Sequence, residues 1–510
     1  MLCIRLPFSS QKREMSEKRE ISNSKQYTVE EGDKPKPQDG RYRMTLTKSG
    51  NAHVTSAVKG EEPSVMDGPP FCMSTASRAL YLSTLVYLEP NTRGLTPEKY
   101  EALFQRLDYV VGERGLDIKE FKEFYNKTGK DEIRCICFAM TKKKENIKED
   151  DQDENEETKD SASSGEGEKK DEGTHEMDGE KNMKKHNVSK SKFNRIFVCF
   201  RGTDTAKNVV ADIKAWTVPH PPVRGSVFNG SRPMVHHGFL NSWRNDKLSE
   251  QVLDFVKKHV KEMRESELEE MEENGSNGSP WPVLTVTGHS LGGSIATLAS
   301  WDIASELQDM SLSLAQNHSS FAKKDDSILS QPNTIPFPKE NVRLYSFGCP
   351  RVGNGPFADS FNDFVPNAWN IIHDNDIVPA VPAKHSGFLG QPFQRAGRQV
   401  IIKENGDFLI NPSRKERRLR AVKVLNLKTS VAAHETGHYR RGLLSIFEKE
   451  GLLGNCDDEG VVLRESLSKG EETQINSLKL AAESLDVMGQ IITDARNDPS
   501  RSFRVLPGAT

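Results

Sequence analysis

One serine of the sequence lies between two glycines, at a point where a strand pattern changes to a helix pattern. The apolar run 283–287 is typical of a buried β-strand, and residues 294–307 place apolar side chains at helical spacing. Between them stands the segment 288–292, GHSLG, with Ser290 at its centre. Glycines permit a tight, strained turn that would expose the hydroxyl and aim helix N–H groups near it. We therefore predict a nucleophilic serine beside an oxyanion site; a glycine-rich turn with an idle serine is the alternative.

A serine nucleophile needs a base, and that base needs an orienting acid. In the run IIHDNDIVP at 371–379, Asp376 follows a strand pattern, so its carboxylate would face the same sheet edge; Asp374 is close by. The run SVAAHETGHYRR at 430–441 holds two histidines. Serine, aspartate and histidine in this order match the chain order of α/β-hydrolase triads. The residues leave either His434 or His438 as the base.

The elements that would position these groups alternate along the chain. Strand patterns occur at 133–138, 195–200, 283–287, 342–347 and 369–373, and helix patterns occur at 246–262 and 294–307. Such alternation predicts an α/β fold with a mostly parallel central sheet and helices on both faces.

Long polar segments interrupt this pattern. Residues 141–192 are nearly all Glu, Asp, Lys, Ser and Gly, and cannot bury enough apolar area to offset their ordering entropy. We predict a disordered acidic insertion in a hairpin; an acidic regulatory tether is the alternative. The predicted organisation is a disordered segment 1–68, a main domain 69–450 with further loop insertions at 266–280 and 316–338, and a helical or irregular extension 451–510.

Composition narrows the class of protein. The formal net charge of −3 over 510 residues gives no bulk field that favours nucleic acid. No run approaches the roughly 18 apolar residues of a membrane span, and residues 1–8 lack a signal-peptide pattern. Seven cysteines are an odd number, and those in strand patterns are interpreted as reduced. The expectation is an intracellular, cytoplasmic protein that is not secreted, with a plastid location left open.

Five segments resemble, in order, the motifs of class 3 (fungal-type) lipases of the α/β-hydrolase superfamily. They are FRGT at 200–203, VHHGFL at 235–240, GHSLGG at 288–293, SFGCPRVGN at 346–354 and NDIVP at 375–379. Together they span about residues 71–447, most of the chain predicted to be ordered. The resemblance implies an α/β-hydrolase fold and a serine hydrolase that cleaves acyl esters of lipids.

The resemblance also implies a role for each matching residue. Ser290 matches the nucleophile and Asp376 the acid, whereas Asp374 lies outside the match. His434 matches the base, because Tyr439 and two arginines follow it as in members of the family; His438 is the second choice.

Two oxyanion donors and a lid follow from the same resemblance. Thr203 matches the oxyanion residue, and Leu291 would supply the second N–H. Residues 204–216 would form an amphipathic lid that opens on lipid, and an ordinary surface helix is the alternative. Its apolar stripe consists of Val209, Val210, Ile213 and Trp216.

The chain departs from secreted fungal lipases in its acidic insertion, in a hairpin-like run at 399–410, and in lacking an obvious disulfide set. These features resemble intracellular branches of plants and algae, which leaves the lipid class open. The expected function is triacylglycerol lipase-like hydrolysis, with a phospholipase A1 or galactolipase as the alternative and an inactive lipase-fold scaffold as the rival from another class.

The expected partner is a lipid ester at a lipid–water interface, with a peripheral membrane or lipid-droplet surface as the setting and no nucleic acid. The basic cluster at 414–420 would contact anionic lipid or form a solvated turn. No metal or organic cofactor is implied.

Overall fold

A central β-sheet carries the strand ends predicted to hold the reactive residues. The computed structural model describes residues 43–46, 52–55, 69–90, 116–128, 132–142, 193–202, 217–220, 232–274, 279–321, 335–382, 392–424 and 431–449, with parts of 481–493 and 503–505. They all belong to one compact unit, Arg41–Thr510.

The strands and helices are numbered in chain order. The strands are β1 Arg43–Leu46, β2 Ala52–Thr55, β3 Phe71–Cys72, β4 Leu88–Pro90, β5 Leu116–Asn126, β6 Ile133–Lys142, β7 Arg195–Phe200, β8 Thr217–Pro219, β9 Met234–His236, β10 Val283–His289, β11 Val342–Phe347, β12 Gly353–Asn354, β13 Asn367–His373, β14 Phe393–Gln394, β15 Arg398–Ile402, β16 Phe408–Ile410 and β17 Phe503–Val505. The helices are α1 Met73–Leu85, α2 His237–Arg244, α3 Leu248–Asn274, α4 Leu291–Phe321, α5 Gly355–Phe364, α6 Arg414–Lys423 and α7 Thr436–Lys449, with short 3₁₀ turns at Asn245–Lys247, Lys339–Asn341 and Val378–Ala380.

The main sheet has eight strands in the order β16-β15-β13-β11-β10-β7-β6-β5. Its five inner strands, from β15 to β7, pair in parallel, and antiparallel strands flank them on both sides. The predicted mostly parallel sheet is therefore confirmed. The hairpin-like run at 399–410 contributes β15 and β16.

Both faces of this sheet are apolar because alternate residues of its inner strands point to opposite sides. On one face, Val198 and Val286 pack in a cluster with residues of α2, α3, α4 and α5. On the other face, Phe197 and Tyr345 lie in clusters with residues of α1, and Tyr345 also with α7. Helices thus cover both faces, as predicted, and in the described part of the chain no helix is long and apolar enough to cross a membrane.

The parallel register brings the carboxyl ends of four strands to one edge. Gly288 of β10 is level with Phe200 of β7 and Ser346 of β11, and Phe347 is level with Ile371 of β13. In a parallel sheet, residues that follow these strands meet at the same edge. The segments that contain Ser290 and Asp376 are therefore neighbours in space.

Three predicted segment boundaries need correction. Within 1–68, predicted to be disordered, β1 and β2 pair with each other, and β2 pairs with β3, which gives these backbones hydrogen-bond partners. The loop predicted at 266–280 is helical as far as Asn274, because Leu268 and Met271 continue the buried stripe of α3. Helix α4 likewise continues to Phe321, inside the loop predicted at 316–338.

Where the structure describes it, the predicted extension after residue 450 packs against the main domain. Ala482 and Leu485 lie in the same cluster as α7, and Met488 is also buried. Strand β17 pairs with β4. These apolar residues complete the helical cover of one sheet face.

The acidic insertion lies between two strands that are direct neighbours. Strands β6 and β7 pair antiparallel, and Met140 is level with Arg195. Residues 143–192 lie outside the described residues. The hairpin ends are held independently of the insertion, because the Lys142 ammonium lies 2.8 Å from Glu267 and the Lys142 N–H donates to Asn194.

Replacing residues 143–192 with a short turn should therefore preserve folding. Loop-closure entropy changes slowly with length, so we expect the free energy of unfolding to rise by no more than about 2 kcal/mol. Chemical denaturation of both proteins, with turnover of a soluble short-chain ester, would measure the effect. A variant that folds but no longer turns over the soluble ester would contradict this expectation and assign the insertion to the active site.

Candidate active site

Ser290 occupies a strained turn between β10 and α4. Its φ is +59°, a left-handed conformation that costs a residue with a Cβ about 1–2 kcal/mol. The glycines on either side are required by close contacts. A Cβ on Gly288 would lie 2.4 Å from the Gly292 carbonyl carbon, and one on Gly292 would lie 2.3 Å from the Phe200 carbonyl oxygen. The sequence GHSLG thus folds as predicted.

The Ser290 hydroxyl differs from the prediction in one respect, because it is buried. The residue is 2% exposed, and its Oγ has no hydrogen-bond partner among the described residues. Neighbouring strand ends close around it: the Ser290 N–H donates to the Phe347 carbonyl at 2.9 Å, and a Cβ on Gly202 would lie 3.1 Å from the Ser290 Cβ. A buried hydroxyl with no partner carries a desolvation cost. The position of the Ser290 hydroxyl therefore does not stabilise the fold.

His434 reaches this edge from the turn that precedes α7. Its Nδ1 lies 2.8 Å from Asp376 Oδ2. Because an ionised carboxylate only accepts, Nδ1 carries the proton and Nε2 of the neutral ring keeps a lone pair. His434 is 2% exposed, and its Nε2 has no hydrogen-bond partner within the described part of the chain. The imidazole thus presents an unused acceptor in a buried position.

Asp376 is fully buried and held by three donors. Its carboxylate accepts from His434, from the Tyr439 hydroxyl at 2.5 Å and from the Val378 N–H at 2.8 Å. Burial alone would raise the pKa of Asp376, but the interaction with His434 and these hydrogen bonds keep it below its usual value. The carboxylate is therefore ionised at neutral pH and keeps the imidazole in one tautomer.

The two alternatives left open by the residues lie elsewhere. Asp374 is buried, and its N–H donates to the Ile402 carbonyl. His438 Nδ1 lies 3.0 Å from Glu404. The structure therefore brings His434, rather than His438, to Asp376.

One residue of the predicted oxyanion pair is described. Leu291 is the first residue of α4, where the N–H groups of a helix have no intrahelical acceptor. Thr203 and the predicted lid 204–216 lie outside the described residues. Gly202, which precedes Thr203 in the sequence, lies next to Ser290.

A buried hydrogen-bond chain links three segments of this site and was not predicted. The Gly202 N–H donates to the Tyr87 hydroxyl at 3.1 Å, and this hydroxyl lies 3.1 Å from His289 Nδ1. His289 Nε2 lies 2.7 Å from the carbonyl oxygen of His434. Burial, reinforced by His434, lowers the pKa of His289 to about 3, so the ring is neutral and Nε2 donates. These hydrogen bonds connect the segments of Gly202 and His434 to the turn that contains Ser290.

Gly348 and Arg420 also acquire a role only in the folded chain. Gly348 has a φ of +61°, and a Cβ there would lie 2.7 Å from His434 Cε1. Arg420, in the basic cluster assigned to lipid or solvent, donates to the main-chain carbonyls of His373 and Asp376. The cluster forms helix α6 rather than a turn, and Arg420 fixes the segment of Asp376.

The comparisons with known proteins concern the same part of the chain. Residues 197–386 match the model of the family described as Lipase (class 3). The lipase of Rhizomucor miehei is 28% identical over 212 residues, which are 41% of this chain and 42% of that protein. The chloroplastic phospholipase A(1) DAD1 of Arabidopsis thaliana is 28% identical over 202 residues, 39% of this chain and 36% of that protein. The matches span less than half the length of these curated relatives.

The expectation of an intracellular, cytoplasmic protein is wrong. A relative from Gibberella zeae, 26% identical over 41% of this chain and 44% of its own length, is named a secreted mono- and diacylglycerol lipase. The name of this relative contradicts the cytoplasmic expectation. The family match is thus to class 3 lipases over residues 197–386, and the parallel sheet with its serine turn has the α/β-hydrolase fold.

Proposed function

We propose that the chain hydrolyses acyl ester bonds of lipids, with Ser290 as nucleophile, His434 as base and Asp376 as the orienting acid. The observation that carries this proposal is a pair of buried atoms, Ser290 Oγ and His434 Nε2, that lack partners within the described residues. A strained turn holds the first atom, and a buried ionised carboxylate fixes the second. Such an arrangement costs stability and is typical of a site where strain and desolvation serve a reaction.

The proposed reaction uses each of these groups in turn. Ser290 Oγ attacks the acyl carbonyl carbon while His434 Nε2 takes the hydroxyl proton, and a C–O bond forms. The tetrahedral oxyanion is stabilised by the Leu291 N–H and by the N–H and side chain of Thr203, at about 2.7–4 kcal/mol per donor. His434 then returns the proton to the departing alcohol oxygen as the ester bond breaks. Water, deprotonated by His434, releases the fatty acid and restores Ser290.

The proposed substrate is an acylglycerol, with a phospholipid cleaved in phospholipase A1 fashion as the second candidate. The first is supported by the Rhizomucor lipase and the second by the Arabidopsis phospholipase among the relatives. Incubating the purified protein with total lipid extract, beside Ser290→Ala as control, would decide between them. Loss of acylglycerols with release of fatty acid supports the first, and accumulation of lysophospholipid supports the second. Equal lipid profiles for both proteins would overturn the proposal.

Gly348→Ala should reduce turnover by about 10²-fold, because the added methyl group would displace the His434 ring by a fraction of an ångström or more. The substitution should also lower the free energy of unfolding by about 1–2 kcal/mol, because alanine is less stable than glycine at this positive φ. Gly355→Ala is a matched control, since the only atom near its Cβ in the described structure is Gln394 Oε1 at 3.2 Å. Short-chain ester kinetics and thermal unfolding would measure both effects. Wild-type turnover by Gly348→Ala would contradict the assigned position of His434.

The lid remains a proposal from the sequence, at residues 204–216. An apolar stripe is costly to expose to water and favourable against lipid, at roughly 25 cal/mol per Å². Activity should therefore rise when a dispersed ester passes into an emulsion. The double substitution Val210→Ser and Ile213→Ser should reduce that rise and spare the monomeric ester. A rate that follows dissolved ester smoothly across this transition would leave 204–216 as an ordinary surface helix.

A further inference from the structure

Three side chains with metal-ligating groups meet beside the proposed catalytic residues and take no part in the proposed reaction. His373 ends β13, Glu404 lies in the turn between β15 and β16, and His438 lies in the first turn of α7. One nitrogen or oxygen from each residue lies within 4.8 Å of the other two. Glu404 Oε1 is 3.0 Å from His438 Nδ1 and 3.9 Å from His373 Nε2.

These separations suit a small cation. Nitrogen and oxygen ligands of tetrahedral Zn²⁺ lie at about 2.0–2.1 Å from the ion, so two ligands are about 3.3 Å apart. The observed distances of 3.0 and 3.9 Å fall on either side of this value. The Glu404 side chain is 54% exposed and can rotate to equalise them.

His373 supplies an independent observation. Its side chain is fully buried, and neither ring nitrogen has a hydrogen-bond partner among the residues that the structure describes. An imidazole so placed, with its Nε2 3.9 Å from a carboxylate oxygen, offers a nitrogen ligand to a metal ion at this point.

We propose that His373, Glu404 and His438 bind a divalent transition-metal ion such as Zn²⁺ through two imidazole nitrogens and one carboxylate oxygen. Imidazole and carboxylate together suit this class of ion, and water would complete the coordination. The ion would join the end of β13, the β15–β16 turn and the start of α7.

The location gives the ion a positioning role. His438 precedes Tyr439, whose hydroxyl donates to Asp376, and follows His434 by four residues. An ion at this point would fix the first turn of α7 against the strand that leads to Asp376. The inference does not depend on the proposed function, because metal binding can be measured without any substrate.

The test is Zn²⁺ titration of the full chain after treatment with EDTA and removal of the chelator. We expect one saturable equivalent by calorimetry and a higher melting temperature with Zn²⁺. Glu404→Gln, at an exposed position, should weaken binding by more than about 100-fold, since even residues that only support a ligand contribute 10–100-fold. Glu435→Gln is the matched control, with the same chemical change at an exposed residue three positions before His438, and should bind like the wild type.

Titration with Co²⁺ distinguishes binding at the proposed site from binding at cysteine thiolates. The described cysteines are free thiols, so a Co²⁺ spectrum with thiolate-to-metal charge transfer would indicate binding there and overturn the proposal. Absence of saturable binding would also overturn it. The same holds if Glu404→Gln and His438→Gln, both folded by circular dichroism, bind Zn²⁺ as the wild type does.

Discussion

The Ser290→Ala variant is expected to lose about 10⁴- to 10⁶-fold of ester hydrolysis, because the other members of a triad cannot act without the nucleophile. It should keep its fold. The hydroxyl makes no hydrogen bond in the described structure, and alanine accepts the same φ at the same cost as serine. Removing a buried polar atom without a partner also removes its desolvation cost, so the melting temperature should be unchanged or slightly higher.

The measurement is kcat/KM on a soluble short-chain ester, together with thermal unfolding followed by circular dichroism. Ser294→Ala is the matched control, because Ser294 is a second buried serine one turn further along α4. Its activity should stay near that of the wild type. A folded Ser290→Ala protein that turns over ester at a near-normal rate would end the proposed mechanism.

The second large effect is expected for His434→Ala, which should lower kcat/KM nearly as far as Ser290→Ala. Both residues act on the same proton, so their losses should not add in the double variant. His438→Ala should be mild by comparison, since His438 contacts Glu404 rather than Asp376. Kinetics of the three variants on one soluble ester would measure this. If His438→Ala is the more damaging single change, the base is four residues further along the chain.

Much of the fold was accessible from local patterns. The strands β6, β7, β10, β11 and β13 each coincide with a short apolar run that is typical of a buried strand. The alternation of these runs with helix patterns predicts a parallel sheet. The turn at Ser290 is equally local, because its glycines lie within two residues of the serine. The order serine, aspartate, histidine then restricts the partners to two short segments.

The remaining features depend on contacts between residues distant in the chain. His434 and His438 are four residues apart on either side of the start of α7, and only the packed position of that segment shows which imidazole meets Asp376. Tyr87 lies 202 positions before His289, and no local pattern marks it as a partner. Arg420 was not distinguished from the other basic residues of its cluster, because the sequence pattern does not show which of them is directed toward the protein interior. The burial of Ser290 likewise results from neighbouring strand ends.

The most direct test of the central claim is labelling with a fluorophosphonate, which reacts with a serine activated by a neighbouring base. Digestion and mass spectrometry of the labelled protein would locate the adduct, with Ser290→Ala and His434→Ala treated in parallel. We predict one adduct on Ser290, strongly reduced labelling of His434→Ala and none of Ser290→Ala. A folded wild-type protein that stays unlabelled, or an adduct on another serine that persists in Ser290→Ala, would contradict the account.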